Sequence, residues 1–199
     1  KTRTDLIEHI DIAALSLAAA GIDLPKKLQG QDVLAQEYEP KQTVYAARDR
    51  CGEAADRIRS VRSNEYLYIR NFKPKRWPMG NPYDSAKLNM PDDLYKMGLS
   101  TKPAYRDLDG SLTKAWMMSR REEPVDKELF RLTMHPRPCE ELYDIVNDPD
   151  QLVNLATEPK FSSVVTSLRA RVEQVMNNSN DPRIKDAFDR LPWVDPTKP

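Results

Sequence analysis

Between Arg57 and Phe72 the chain reads RIRSVRSNEYLYIRNF, with apolar and polar residues alternating on both sides of Ser63-Asn64. That period of two, broken by a polar pair, predicts a β-hairpin turning at Ser63-Asn64. A lone hairpin is marginal in water, so it demands more strands and a covering element. Two later segments answer the demand. EELYDIV predicts a strand over Glu141–Val146, with a turn at Asn147-Asp148-Pro149. PKFSSVVTSLRARVEQVMNN predicts a helix over 159–177, opened by Pro159 and apolar on one face. Val164, Leu168, Val172 and Val175 form the stripe expected to pack on the sheet. Arg169 and Glu173 are expected to face water.

Upstream, DLIEHIDIAALSLAAAG predicts a helix. Asp5 and Glu8 have capping-box spacing, and Gly21 stands where a helix-ending glycine belongs. Leu6, Ile10, Ala13 and Leu17 give it a wide apolar face, as in a helix buried in a larger body. His9, beside these residues, reads as structural. TVYAA (Thr43–Ala47) predicts a short strand that delivers Arg48, Asp49 and Arg50 at its end. Between the hairpin and the later strand, 73–138 reads as a long irregular insertion, with prolines at 74, 78, 82, 91, 103 and 124. In its Trp77–Tyr83 stretch, packing is the better reading than a rim for sugar stacking. Sixteen prolines against six glycines imply backbone that is irregular but braced.

Charge excludes one class of partner. Lys+Arg and Asp+Glu are 31 each, whereas nucleic-acid binding leaves a basic excess. No apolar run approaches the roughly 18 residues of a membrane span. The opening KTRTDLIEHI does not read as a signal peptide. Cys51 and Cys139 can pair or stay free. His9 and His135 lack metal-ligand spacing. No GxSxG, P-loop, HExxH or GxGxxG occurs, so the chain's own residues do not make a complete catalytic site.

Several segments together resemble the C-terminal part of a type I, formylglycine-dependent sulfatase of the alkaline phosphatase superfamily. HIDIAALSLAAAGIDLPKKLQG resembles that family's helix-then-loop segment, with Ala14 and Leu15 where Pro-Thr is common. YAARDRCGEAADRIRSVRSNEYLYIRNF resembles the strand, substrate-side loop and hairpin that follow. PCEELYDIVNDPDQLVNLA is the most specific match. GNPYDSAKL and DLDGSLTKAWMMSRREEP look closest to bacterial heparan N-sulfatase (sulfamidase)-like sulfatases. The likeness runs over roughly Thr2 to Val175.

The resemblance implies an α/β architecture: the end of an alkaline-phosphatase-like α/β/α domain, then a small antiparallel subdomain with a packed C-terminal helix. The implied division is 1–56, the last helix and strand of the catalytic domain, and 57–199, the C-terminal subdomain. The family's nucleophile is a formylglycine made within Cys/Ser-x-Pro-Ser-Arg, beside a calcium. Neither Cys51 nor Cys139 lies in such a motif, so calcium and formylglycine are expected in the full-length enzyme and not in this chain. The chain then reads as a C-terminal piece, inactive alone, whose partners are a sulfated sugar and the N-terminal catalytic part of the same protein. Periplasmic or secreted localisation is implied by the family.

Within that frame, Arg48 and Arg50 follow a strand, where α/β sheets place ligands, and a guanidinium fork suits sulfate and carboxylate oxygens. Asp49 and Asp56 are candidates either to accept sugar hydroxyls or to orient the arginines. Arg57, Arg59 and Arg62 read as surface ion pairs on the hairpin. The rivals are a non-catalytic polyanion-binding module and a phosphoesterase of the same superfamily.

Overall fold

The computed structural model describes residues 3–49, 57–82 and 93–185. Its centre is a four-stranded antiparallel sheet in the order β1 (Val44–Arg48), β2 (Ile58–Arg62), β3 (Tyr66–Asn71), β4 (Glu140–Asp144). The hairpin turns where alternation predicts. Ser63 holds it: its Oγ accepts from the amides of Glu65 and Tyr66 at 3.2 and 3.0 Å. The strand beginning at Val44 pairs along β2, so β1 and β2 are neighbours although they lie on either side of residue 56.

Strand alternation sorts the sheet into two faces. Val61, Tyr68 and Leu142 sit opposite one another on one face and are fully buried. The helix α5 (Ser162–Asn178), preceded by a short 3-10 turn at Pro159–Phe161, covers them with Val165, Val172 and Met176. Leu168 and Val164 are only half-buried at the edge of this core. The stripe therefore runs Val165, Leu168, Val172, Met176, rotated from the predicted one. The apolar arc of this helix is wide, and the sheet buries its middle.

Arg169 does not simply face water. Its Nε and Nη2 donate to Glu140 Oε1 and Oε2 at 2.6 and 2.7 Å, and Tyr68 Oη donates to the same carboxylate. Helix and sheet are thus clamped by a bidentate pair on their rim. Arg70 adds a second strap, to Glu173 at 2.5 Å.

Residues 73–138 are not irregular throughout. They hold α2 (Leu94–Ser100), α3 (Leu112–Ser119) and α4 (Lys127–Met134). Elements of seven and eight residues are too short to establish a helical period in the sequence. Two caps were legible: Asp93 and Ser111 accept from the amides of Lys96 and Lys114. The insertion has its own core of Ala104, Tyr105, Met118, Phe130 and Met134, with Trp77 packed against it. Lys114, 1% exposed, donates to the carbonyls of Tyr105 and Leu108 at 3.0 and 2.7 Å and pins the turn between them. Burial pushes its pKa below the ordinary lysine range.

The first helix, α1, spans His9–Ala19, with Glu8 and Asp11 forming the capping box in place of Asp5 and Glu8. Asp11, 1% exposed, gathers the Lys41 ammonium at 2.7 Å and the amides of Glu8 and Gln31. Burial opposes its charge, but these donors prevail and hold the carboxyl below its ordinary range. Gly30 lets the following loop touch α1: a Cβ there would lie 2.1 Å from the Ile10 carbonyl oxygen. Only Asp11 and Ala14 of this helix are buried, while Ile10, Ile12 and His9 are exposed. The apolar face is present, and nothing among the described residues covers it.

Candidate substrate-side cleft

The face of the sheet opposite α5 is left open by that helix and looks toward the insertion. Ala46, Arg48, Ile58, Ser60, Ile69, Glu141 and Tyr143 share it, because Arg48 pairs with Ile58, Ser60 with Ile69, and Ile69 with Glu141. Together with the end of α4, Pro78-Met79 and the loop at Asp150–Leu152, this face encloses a cleft of about 530 Å³. The floor is apolar, from Ile58 and Ile69, and the polar groups converge from the walls, an arrangement typical of ligand sites.

Arg48 enters from β1 and Arg137 from the segment after α4, which itself bonds back to the Leu132 carbonyl. Between them stands a fixed polar pair. Glu141, 5% exposed, accepts from Asn71 Nδ2 at 2.7 Å and from Tyr143 Oη at 2.5 Å. Burial, reinforced by the Glu141 carboxylate, raises the Tyr143 pKa, so the phenol remains a donor. Gln151, at the mouth, is held at φ 57°, a left-handed conformation unusual for a side chain of its size. Chemically the cleft offers guanidinium forks, a carboxylate and a phenol, which suit an anionic, hydroxyl-rich ligand. Ser60 and Thr133 bond to backbone carbonyls of Ala46 and Leu129, and neither is paired with a base.

The residues singled out in the sequence separate. Arg48 lines the cleft. Arg50 and Asp56 lie outside the described residues. Asp49 turns to an ion network: its Oδ1 accepts from Arg183 Nε at 2.9 Å and Arg59 Nη1 at 3.1 Å. Arg59 in turn makes a bidentate pair with Asp181, at 2.6 and 3.0 Å. Asp49 is thus engaged by Arg59 and Arg183. Arg57 and Arg59 are buried, at 3% and 7% exposure, and are not the surface pairs expected on the hairpin; Arg59 is enclosed between Asp49 and Asp181. Glu141 and Tyr143 were legible as alternating with Leu142, whereas Arg137 carries no sequence signal. Cys139 is a free, exposed thiol, and Cys51 lies outside the described residues.

The signature after β4 proves to be a folding device. Asp144 accepts from the amides of Val146 and Asn147, and Asp148 from that of Val153. Asn154 accepts from Leu142 and Ala156 and donates to the Glu140 carbonyl. These bonds wrap 144–156 back along the strand and set the Asp150–Leu152 wall of the cleft.

An "Ulvan-active sulfatase" of Formosa agariphila is 28% identical to this chain over 178 residues, 88% of the chain and 26% of that protein. A second "Ulvan-active sulfatase" of the same organism is 24% identical over 174 residues, 84% of the chain and 28% of its own length. The chain is a sulfatase homologue. No family model matches it. The crystal structure of a sulfatase from Bacteroides thetaiotaomicron superposes with a TM-score of 0.50 at 17% identity, over 92% of the chain and 27% of that structure. The fold of this homologue is therefore similar to part of that structure's fold. The homologue spans about a quarter of the length of the relatives it matches. Among its described residues no group of three or more His, Cys, Asp or Glu is placed to hold a metal ion. No helix among them is long and apolar enough to cross a membrane.

Proposed function

We propose that the full-length protein to which this chain belongs hydrolyses sulfate esters or N-sulfates of a sulfated polysaccharide, and that this chain supplies substrate-side contacts. The observation that carries the reading is the kinship with two ulvan-active sulfatases across more than four-fifths of the chain. In this reading the formylglycine and calcium of such enzymes are supplied by the N-terminal catalytic part of the same protein. The exposed Ile7, Ile10, Ile12, Ile22 and Leu34 support this: that part would cover them, as an apolar face requires. In this reading Arg48 and Arg137 grip sulfate or carboxylate oxygens, while Tyr143 and Glu141 order the wall against which sugar hydroxyls rest. In the same reading Arg50 and Asp56 also contact the sulfated sugar. By family resemblance the enzyme is taken to be periplasmic or secreted, in keeping with a polymeric substrate. Resemblance to heparan N-sulfatase-like enzymes favours an N-sulfated sugar and kinship with ulvan-active enzymes an O-sulfated one, so both belong in the assay.

The test is kcat/KM of the full-length protein on ulvan, a heparin-type oligosaccharide and a small aryl sulfate. Arg48→Ala should lower kcat/KM on the sugar roughly ten- to hundred-fold, the loss of a charge-assisted hydrogen bond of about 1.5–3 kcal/mol, with less effect on the aryl sulfate. No sulfate release from any sulfated sugar would overturn the reading and favour the polyanion-binding or phosphoesterase rivals. Unchanged sugar kinetics in Arg48→Ala would remove the arginine from the substrate site.

A further inference from the structure

A second depression lies outside the cleft. Directly after β3 the chain reads Phe72-Lys73-Pro74-Lys75-Arg76-Trp77, and this stretch, with Asn81, lines a groove of about 540 Å³. Three of the described lining residues are cationic and none is acidic, in a chain whose net charge is zero. The positive charge is therefore a local feature and not a consequence of composition. Lys75 and Arg76 are exposed. The aromatic members are held in place from behind. The Arg70 guanidinium lies 5.0 Å from the Phe72 ring, and the Trp77 indole is packed edge-on by His135 at 5.2 Å and Tyr105 at 6.1 Å.

An aromatic surface flanked by cationic side chains fits a ligand with apolar ring faces and repeated negative charges. Sugar rings bearing sulfate or carboxylate have both. The groove also adjoins the cleft: Trp77 lines the first, Pro78 and Met79 the second. Successive Cα atoms are about 3.8 Å apart, so Trp77 and Met79 are separated by less than about 8 Å. A polymer running out of the cleft past Pro78 and Met79 would reach Trp77 and the cationic groove, which a small ion has no need to do.

We propose that the Phe72–Trp77 groove is an auxiliary binding site for an anionic polysaccharide, holding the chain beside the cleft that takes one of its residues. That a polysaccharide is the source of the anion rests on the sulfatase reading, whereas the groove's preference for a polyanion rests on its own residues. The experiment measures binding of the full-length protein to dextran sulfate and to neutral dextran at low salt. Lys75→Glu with Arg76→Glu should weaken dextran sulfate binding about tenfold or more, an effect that added salt diminishes. The charge-matched control, Lys26→Glu with Lys27→Glu on the exposed loop after α1, should change it less than about twofold. Equal losses in the two pairs, or none, would overturn the groove as a site. Equal affinity for neutral dextran would overturn its chemistry. Tighter binding of single-stranded DNA at the same salt, lost in the same double variant, would overturn the class of ligand. Sulfate release by the wild-type protein from a small sulfated sugar scores the sulfatase reading separately, so failure of either is distinguishable.

Discussion

Asp181→Ala tests the ion network at this end of the sheet. Arg59 has a side chain only 9% exposed, and Asp181 satisfies it with two hydrogen bonds while also accepting the Arg183 amide at 2.8 Å. Leaving a buried charge uncompensated costs about 3–5 kcal/mol, but Asp49 still accepts from Arg59, so Asp181→Ala should cost less, about 1.5–3 kcal/mol. Asp49→Ala leaves Arg59 with Asp181 but takes a carboxylate from Arg183, whose side chain is only 2% exposed, so it too should cost about 1.5–3 kcal/mol. Burial opposes ionisation of both carboxyls, but the Arg59 and Arg183 contacts prevail and lower both pKa values. A depressed folded pKa contributes stability that is present above the unfolded value of about 3.9 and lost as pH falls through the folded one. The gap between wild type and either variant should then be full at pH 7 and shrink below about pH 4. Native-state hydrogen exchange of β1 and β2 amides in the full-length protein reads this locally, without assuming two-state unfolding. If both variants lie within about 0.5 kcal/mol of wild type at pH 7, the network does not hold this end of the sheet.

Arg169→Ala should cost about 1–2 kcal/mol, from the lost bidentate bond to Glu140 discounted for partial exposure, while exposed Arg171→Ala should stay within about 0.5 kcal/mol; exchange protection of α5 amides separates the two. Gly30→Ala should destabilise by about 2 kcal/mol or more, because the added Cβ meets the rigid carbonyl of Ile10 at 2.1 Å; a urea midpoint equal to wild type would show that the loop simply moves away.

What the sequence determined is what local periodicity encodes. The alternation from Ile58 to Asn71 set the hairpin and its turn, EELYD set the fourth strand, and Pro159 with the apolar arc set α5 and the sheet it covers. The EELYD segment put Leu142 toward the core, as observed, and the ELYD…NDP…NLA stretch carried the resemblance to sulfatases. Tertiary structure decided where charge goes. Asp49 meets Arg183 across 134 positions and Arg59 meets Asp181 across 122, and no window of sequence contains such pairs. Arg59 alternates with apolar residues as a surface arginine does, yet it is buried and bonded to Asp181, far along the chain. Arg137 reaches the cleft where the end of α4 and Pro78-Met79 close over the open face of the sheet. A residue's face is fixed by the repeat of its own strand or helix, but its burial and partners are fixed by what folds onto that face. Hence the skeleton was legible in the sequence, while the ion network and most of the cleft walls were not.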